Sequence, residues 1–175
     1  MILAGFSYWL ASSHAIALML VNIGLALNWF GDSLDGTVAR LRNKQRPRYG
    51  FYVDHIIDSF GALFLLGGLS LSTYMEPHIA GGLLLVYLLF SIDLYLATFT
   101  IGTFRLSFSI FGPTELRILL MLGNIMLLIR PLVTILGHRY RLFDVGGVVG
   151  LIGLSAVLVF SVIRNTRLLY QAERV

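Results

Sequence analysis

Polar residues are rare along most of this chain, and where they gather they divide it into apolar runs. A run of roughly 20 apolar residues is long enough to cross a bilayer as a helix. Five such stretches are visible: about Leu3 to Phe30, continuing as a helix through Arg40; Phe51 to Thr73; His78 to Thr100; Glu115 to Leu136; and Val145 to Ile163. Pro77 and Pro113 stand where a helix start tolerates proline. Pro113, Thr114 and Glu115 read most simply as such a start, with Glu115 favoured by the helix dipole. No internal repeat, low-complexity tract or soluble domain breaks the pattern. The expectation is a single all-α domain over residues 1–175, a polytopic membrane helix bundle with five transmembrane helices.

Composition agrees. The chain is 57% hydrophobic with a mean hydropathy of +0.83, and its 13% of charged residues is too few to cover a water-soluble globule of this size. Cysteine is absent, which excludes disulfides and thiolate metal sites. The net charge of +4 reports topology in such a chain, not affinity for nucleic acid. Nothing at the start reads as a cleaved signal peptide, because Met1 opens on apolar residues without a basic segment.

Basic residues orient the bundle. Arg40, Arg42, Lys44, Arg46 and Arg48 crowd the first loop and share a side with Arg105, Arg117, Arg164, Arg167 and Arg174; Arg130, Arg139 and Arg141 fall on the other. This imbalance places the first loop in the cytoplasm, as expected for a cell inner-membrane protein. The basic loop, Arg42 to Arg48, is also expected to contact anionic lipid. Five alternating spans then put Met1 on the outer side. That suggests either a reverse signal anchor or a sixth, leading helix missing ahead of Met1.

The charged residues that matter lie at the basic loop. In "GDSLDGTVARLRNKQRPRYGFYVDHIID", Asp32, Asp35, Gly36, Ala39 and Arg40 fall on one helical stripe, at spacings of 3, 4, 7 and 8. Gly50, Asp54 and Asp58 form a second stripe at spacings of 4 and 8. Helices joined by a short loop are usually neighbours, so the two stripes can face each other at the membrane edge. Four facing carboxylates repel and need a cation. Hard divalent ions with oxygen ligands suit such a set, and paired ions recur in phosphoryl chemistry. Gly36, Ala39 and Gly50 leave backbone open to a bulky ligand, and the Arg40 fork suits phosphate. Aspartates at helix ends can also simply meet headgroups and loop arginines. Four of them on two stripes, with small residues between, go beyond that role.

These residues resemble the signature of the CDP-alcohol phosphotransferase (CDP-alcohol phosphatidyltransferase) family, D-x2-D-G-x2-A-R-x8-G-x3-D-x3-D. All eight fixed positions are filled: Asp32, Asp35, Gly36, Ala39, Arg40, Gly50, Asp54 and Asp58. One departure is the nine residues, Leu41 to Tyr49, where the family usually has eight. The extra residue falls in the basic loop and leaves both stripes intact. The resemblance implies a six-helix membrane transferase of phospholipid biosynthesis. It would move a phospho-alcohol from a CDP-alcohol to a lipid or polar acceptor alcohol and release CMP, and it would act as a homodimer among membrane lipids. It further implies two Mg²⁺ or Mn²⁺ ions held by Asp32, Asp35, Asp54 and Asp58, with Asp58 as base for the acceptor hydroxyl. Gly36, Ala39, Arg40 and Gly50 would line the CDP site. A second departure is the absence of the family's first helix, with its Asn and Thr or Ser near the cytidine.

The rival reading is a non-catalytic membrane protein, such as a divalent-cation carrier using the same aspartates. The interleaved glycines and Arg40 argue against it, since a bare cation needs neither. Outside the motif, Asp93 lies inside the third stretch and is expected to pair with Arg105 or Arg117, or else to line an acceptor cavity. Glu115, Arg117 or Arg105 could touch a substrate headgroup. His55 points about 100° from Asp54 and is expected at the interface rather than on a metal. His14, His78 and His138 carry no metal spacing. Tyr8, Trp9, Trp29, Tyr52 and Tyr74 suit interfacial belts.

Overall fold

The computed structural model describes residues 1–41, 46–101 and 113–173, with side chains throughout except at Asp35, Gly36, Val38, Ala39, Arg40 and Pro113. The described elements are α1 (Ile2–Ala11), α2 (Ala17–Leu41), α3 (Pro47–Ser70), α4 (Pro77–Ile101), α5 (Pro113–Ile129), β1 (Leu132–Ile135), β2 (His138–Arg141) and α6 (Leu142–Ala172). The protein is an all-α membrane helix bundle. Among the described residues four helices are long and apolar enough to cross a membrane: α2 over Ala17–Leu34, then α3, α4 and α6.

The first expected span is corrected. Leu3 to Phe30 is not one helix but two, separated by a turn at residues 12–16. Ser12, Ser13 and His14 occupy that turn, and the Ser13 and His14 amides both close onto Leu10 O, at 3.0 and 3.1 Å. Serine side chains offer the backbone alternatives to the helix ladder, which is why the break falls there. The ten residues of α1 rise about 15 Å, half the hydrocarbon core.

The turn also corrects the expected place of Met1. Packed between α2 and α3, α1 folds back so that Met1 lies against Gly61 of α3 and within electrostatic range of Asp32. Met1 is therefore on the aspartate side of the bundle, and a helix ahead of α2 is present in α1. The Tyr74 hydroxyl reaches the Ala11 carbonyl at 3.4 Å at the other end, so α1 and α3 run in parallel.

Glycines set how closely these helices meet. A Cβ added at Gly68 would lie 1.9 Å from Gly5 O, and one added at Gly5 would lie 2.0 Å from Phe64 O. Such backbone-to-backbone contact is how helices gain van der Waals energy in lipid, where no hydrophobic force draws them together. Around this contact lie the buried residues Ala4, Tyr8, Ala11, Leu18, Val21, Leu25, Leu65 and Leu69. Tyr8 is fully buried, so it belongs to the core and not to the interfacial belt expected of it. Its hydroxyl donates to Asn124 Oδ1 at 2.8 Å. The Asn124 amide donates to Asn22 Oδ1 at 2.8 Å, and Asn22 donates to the Met121 carbonyl at 3.2 Å. This chain of bonds ties α1, α2 and α5 together.

Helices α4 and α6 run side by side in the same direction, with Gly147 of α6 receiving Ile79 and Met75. The fourth expected span ends early, at Ile129 instead of Leu136. Pro131 lacks the amide a helix would need, and the chain turns into the hairpin β1–β2. Leu136 and Gly137 both have positive φ, 52° and 84°, as a tight primed turn requires.

Replacing Gly68 with alanine should cost about 1–3 kcal/mol, because the clash is with backbone that cannot swing aside. Gly67→Ala is the matched control, since a Cβ there meets nothing within 4 Å. Thermal unfolding of both variants in detergent checks this. Equal melting temperatures would refute the close-contact account.

Candidate functional site

At the basic-loop end of the bundle, Asp32 of the first acidic stripe lies within electrostatic range of Asp58 of the second. Helix α2 continues unbroken through Leu41, carrying Asp32, Asp35, Gly36, Ala39 and Arg40 on its last turns. The side chains of Asp35, Ala39 and Arg40, and the local packing of Gly36, lie outside what the structure describes. Pro47 opens α3 at its first turn, with Arg46 as the capping residue. Gly50, Asp54 and Asp58 follow on successive turns. Gly50 has open space where a Cβ would stand, as a ligand-facing position needs.

The described carboxylates differ in setting. Asp54 is well exposed, with 63% of its side chain accessible, and sits 3.7 Å from His55 Nδ1. Asp58 is half-buried, one turn deeper, and lies within electrostatic range of Asp54, Asp32, Arg117 and His55. Asp32 is paired with the Arg117 guanidinium of α5, whose side chain is only 11% accessible. Sequence reasoning named Arg117 as a residue that could touch substrate but did not connect it to Asp32. Nothing in the local pattern of α5 announces that pairing.

Donor chemistry fits a hard divalent ion in kind. Every candidate is an oxygen ligand, and no sulfur competes. One further oxygen stands nearby on the same stripe. Asn28 lies one turn before Asp32, and its Oδ1 is buried without a hydrogen-bond partner. Buried unpartnered carbonyls are uncommon and call for a donor or a cation. Among the described residues no three Asp, Glu or His side chains converge on one point in a metal-ligating cluster. One Asp32 oxygen is occupied by Arg117, and the Asp35 side chain lies outside the description.

Flanking residues complete the site. His55 is largely covered, with 17% of its side chain accessible. Its ring stacks on Phe51 at 4.2 Å and meets Tyr95 of α4 edge-on at 5.0 Å. Its Nδ1 is 2.7 Å from the Phe51 carbonyl and 3.7 Å from Asp54 Oδ2, so the ring stands beside the second acidic stripe. Tyr87 of α4 lies within electrostatic range of Asp58 and was not anticipated. A tyrosine in the middle of an apolar helix was its only signal.

Of the two arginines expected near Asp93, Arg117 is taken by Asp32 and Arg105 lies outside the described residues. Asp93 instead accepts hydrogen bonds from Ser161 and from Asn165, the latter at 3.5 Å. Both partners come from α6, so the carboxylate ties α4 to α6 beside the site. Glu115 stands in the first turn of α5, as the proline before it suggested.

Arg117→Gln should destabilise the fold by about 1–3 kcal/mol, the range for a lost hydrogen bond to a charged group. The double variant Arg117→Gln/Asp32→Asn should be less damaged than the sum of the single changes, because the carboxylate left unpaired is then gone. Detergent unfolding of the three variants measures the coupling. Strict additivity would mean that the pair contributes nothing.

Searches of curated proteins and of solved structures found no match to the chain. A family model described as CDP-alcohol phosphatidyltransferase matches residues 1–163. The eight signature residues therefore stand in a chain that matches the family through nearly all of its helices, and this integral membrane protein belongs to the CDP-alcohol phosphatidyltransferase family, whose members transfer a phospho-alcohol group from a CDP-alcohol in phospholipid synthesis.

Proposed function

We propose that this protein transfers a phospho-alcohol group from a CDP-alcohol to an acceptor alcohol and releases CMP, at the cytoplasmic side of the cell inner membrane. The observation that carries the reading is the approach of Asp32, on the first stripe, to Asp58, on the second. The bundle sets Asp58 within range of Asp32 and Asp54, with Gly50 open beside them.

Roles follow from depth and exposure. Asp32, Asp35, Asp54 and Asp58 are the residues that would hold two Mg²⁺ or Mn²⁺ ions. Bound there, such ions supply the positive charge that offsets the pyrophosphate and the departing CMP. Gly36, Ala39, Arg40 and Gly50 line the CDP moiety. Their small side chains let the nucleotide approach the backbone, and the Arg40 fork pairs with phosphate oxygen. Asp58 lies one turn further along α3 than Asp54, half-buried, and faces a hydroxyl arriving from the lipid. It takes the acceptor's proton as the acceptor oxygen bonds to the phosphorus next to the alcohol. The bond from that phosphorus to the bridging oxygen breaks, and the oxygen leaves with CMP. A hydroxyl is a weak nucleophile at neutral pH, which is why a positioned carboxylate helps.

Two measurements test this. CMP should bind the purified protein only when Mg²⁺ or Mn²⁺ is present, because bare aspartates repel phosphate. Titration with and without chelator reads this directly. Metal binding without nucleotide affinity would favour a cation carrier. Transfer products from a panel of CDP-alcohols and acceptors, read by mass spectrometry, then identify the substrates.

Asp58→Asn should lower turnover by ~10²–10⁴ while CMP affinity falls much less. Asp35→Asn should weaken metal and CMP binding together. Near wild-type turnover in Asp58→Asn would remove the base from this residue. Loss of CMP binding as complete as in Asp35→Asn would make Asp58 chiefly a ligand.

A further inference from the structure

The hairpin β1–β2 has no part in the aspartate site and stands at the opposite end of the bundle. Its register pairs Leu132 with Arg141, Val133 with Tyr140, Thr134 with Arg139 and Ile135 with His138. Residues directly opposite on two antiparallel strands point to the same face. One face therefore carries Leu132, Thr134, Arg139 and Arg141, and the other carries Val133, Ile135, His138 and Tyr140, which is the more apolar of the two. Leu136 at the tip is 95% exposed.

Charge at this end is unbalanced. Arg130, Arg139 and Arg141 meet only two acidic residues, Glu76 and Asp144. Arg141 is held by Glu76 at 3.4 Å, and Asp144 accepts the Glu76 backbone amide at 2.6 Å. No described acidic side chain pairs with Arg130 or Arg139, both exposed. The Glu76 contact holds Arg141 at the α3–α4 turn, while Ile135 and Tyr140 on the other face are exposed.

Depth decides what meets these faces. The hairpin joins the end of α5 to the start of α6, a helix long and apolar enough to span, and so stands where a spanning helix meets the membrane edge. A two-stranded hairpin has two unpaired edges, which hydrocarbon cannot satisfy but headgroups and water can. An apolar face and tip beside unpaired arginines match the layered chemistry of that boundary, acyl chain next to phosphate.

We propose that β1–β2 is an interfacial anchor that binds anionic lipid headgroups through Arg130 and Arg139, with Leu136, Ile135 and Tyr140 seated at the acyl boundary. It would fix the depth of α5, and with it Arg117, from the far leaflet.

Because the chain has no cysteine, Leu136→Cys gives a single site for a pyrene label in the full-length protein. A Thr134→Cys label on the arginine face serves as the second variant. In vesicles of phosphatidylcholine and phosphatidylglycerol, lipids brominated near the headgroup should quench the label at position 136. Quenching should favour brominated phosphatidylglycerol by roughly fivefold for each arginine. Arg130→Gln/Arg139→Gln should bring that preference to near one. Unquenched label at both positions would place the hairpin in water and overturn the proposal. Equal quenching by the two lipids in the unsubstituted hairpin would overturn the role of the arginines. Pyrene excimer emission at low protein-to-lipid ratio would mean that a second copy covers the tip, which also overturns it.

Discussion

The backbone contact between Gly5 and Gly68 governs the arrangement of the rest. It lets α1 sit directly on α3, and α1 in turn presents Tyr8 to Asn124 and Asn22. In lipid, dense packing and interhelical hydrogen bonds carry association, since acyl chains are as apolar as leucine. Three helices are thereby locked in rotation. Asp32 of α2 and Asp54 and Asp58 of α3 then share one end of the bundle, and α5 delivers Arg117 to Asp32. A bulky side chain at either glycine would push α1 away and loosen that registry.

Charge inside the bundle follows one rule with two outcomes. Asp93 is satisfied by Ser161 and Asn165, neutral donors that leave it a tie between α4 and α6. The described motif aspartates are not satisfied in this way. Asp32 has an arginine, Asp54 is open to solvent, and Asp58 is half-buried among charges of both signs. A carboxylate in a membrane segment without full pairing is costly. Three of them near one another are the charges that the proposed cation and phosphate site would use. The unpartnered Oδ1 of Asn28 extends that face one turn further into the bilayer.

Several features were legible in the residues themselves. The eight motif positions, the apolar runs of α3, α4 and α6, and the start of α5 at Pro113 each depend on spacing or on local chemistry, which a linear reading captures. The turn at residues 12–16 was also within reach. Ser12, Ser13 and His14 mark it, but counting apolar length alone passes over them. The hairpin had a signal too, in the β-branched run before Leu136 and Gly137.

What the sequence by itself determined was class and chemistry: a helical membrane protein with two acidic stripes at one helix junction, because periodicity and composition are properties of neighbours along the chain. What only the tertiary structure decided was partnership. Arg117 finds Asp32 across 85 residues, Asp93 finds Ser161 across 68, and Tyr8 leaves the expected interface for Asn124 across 116. These pairings depend on how far each helix is rotated and how closely it is seated. Both quantities are set by glycine contacts and core volume between helices, which no local pattern records.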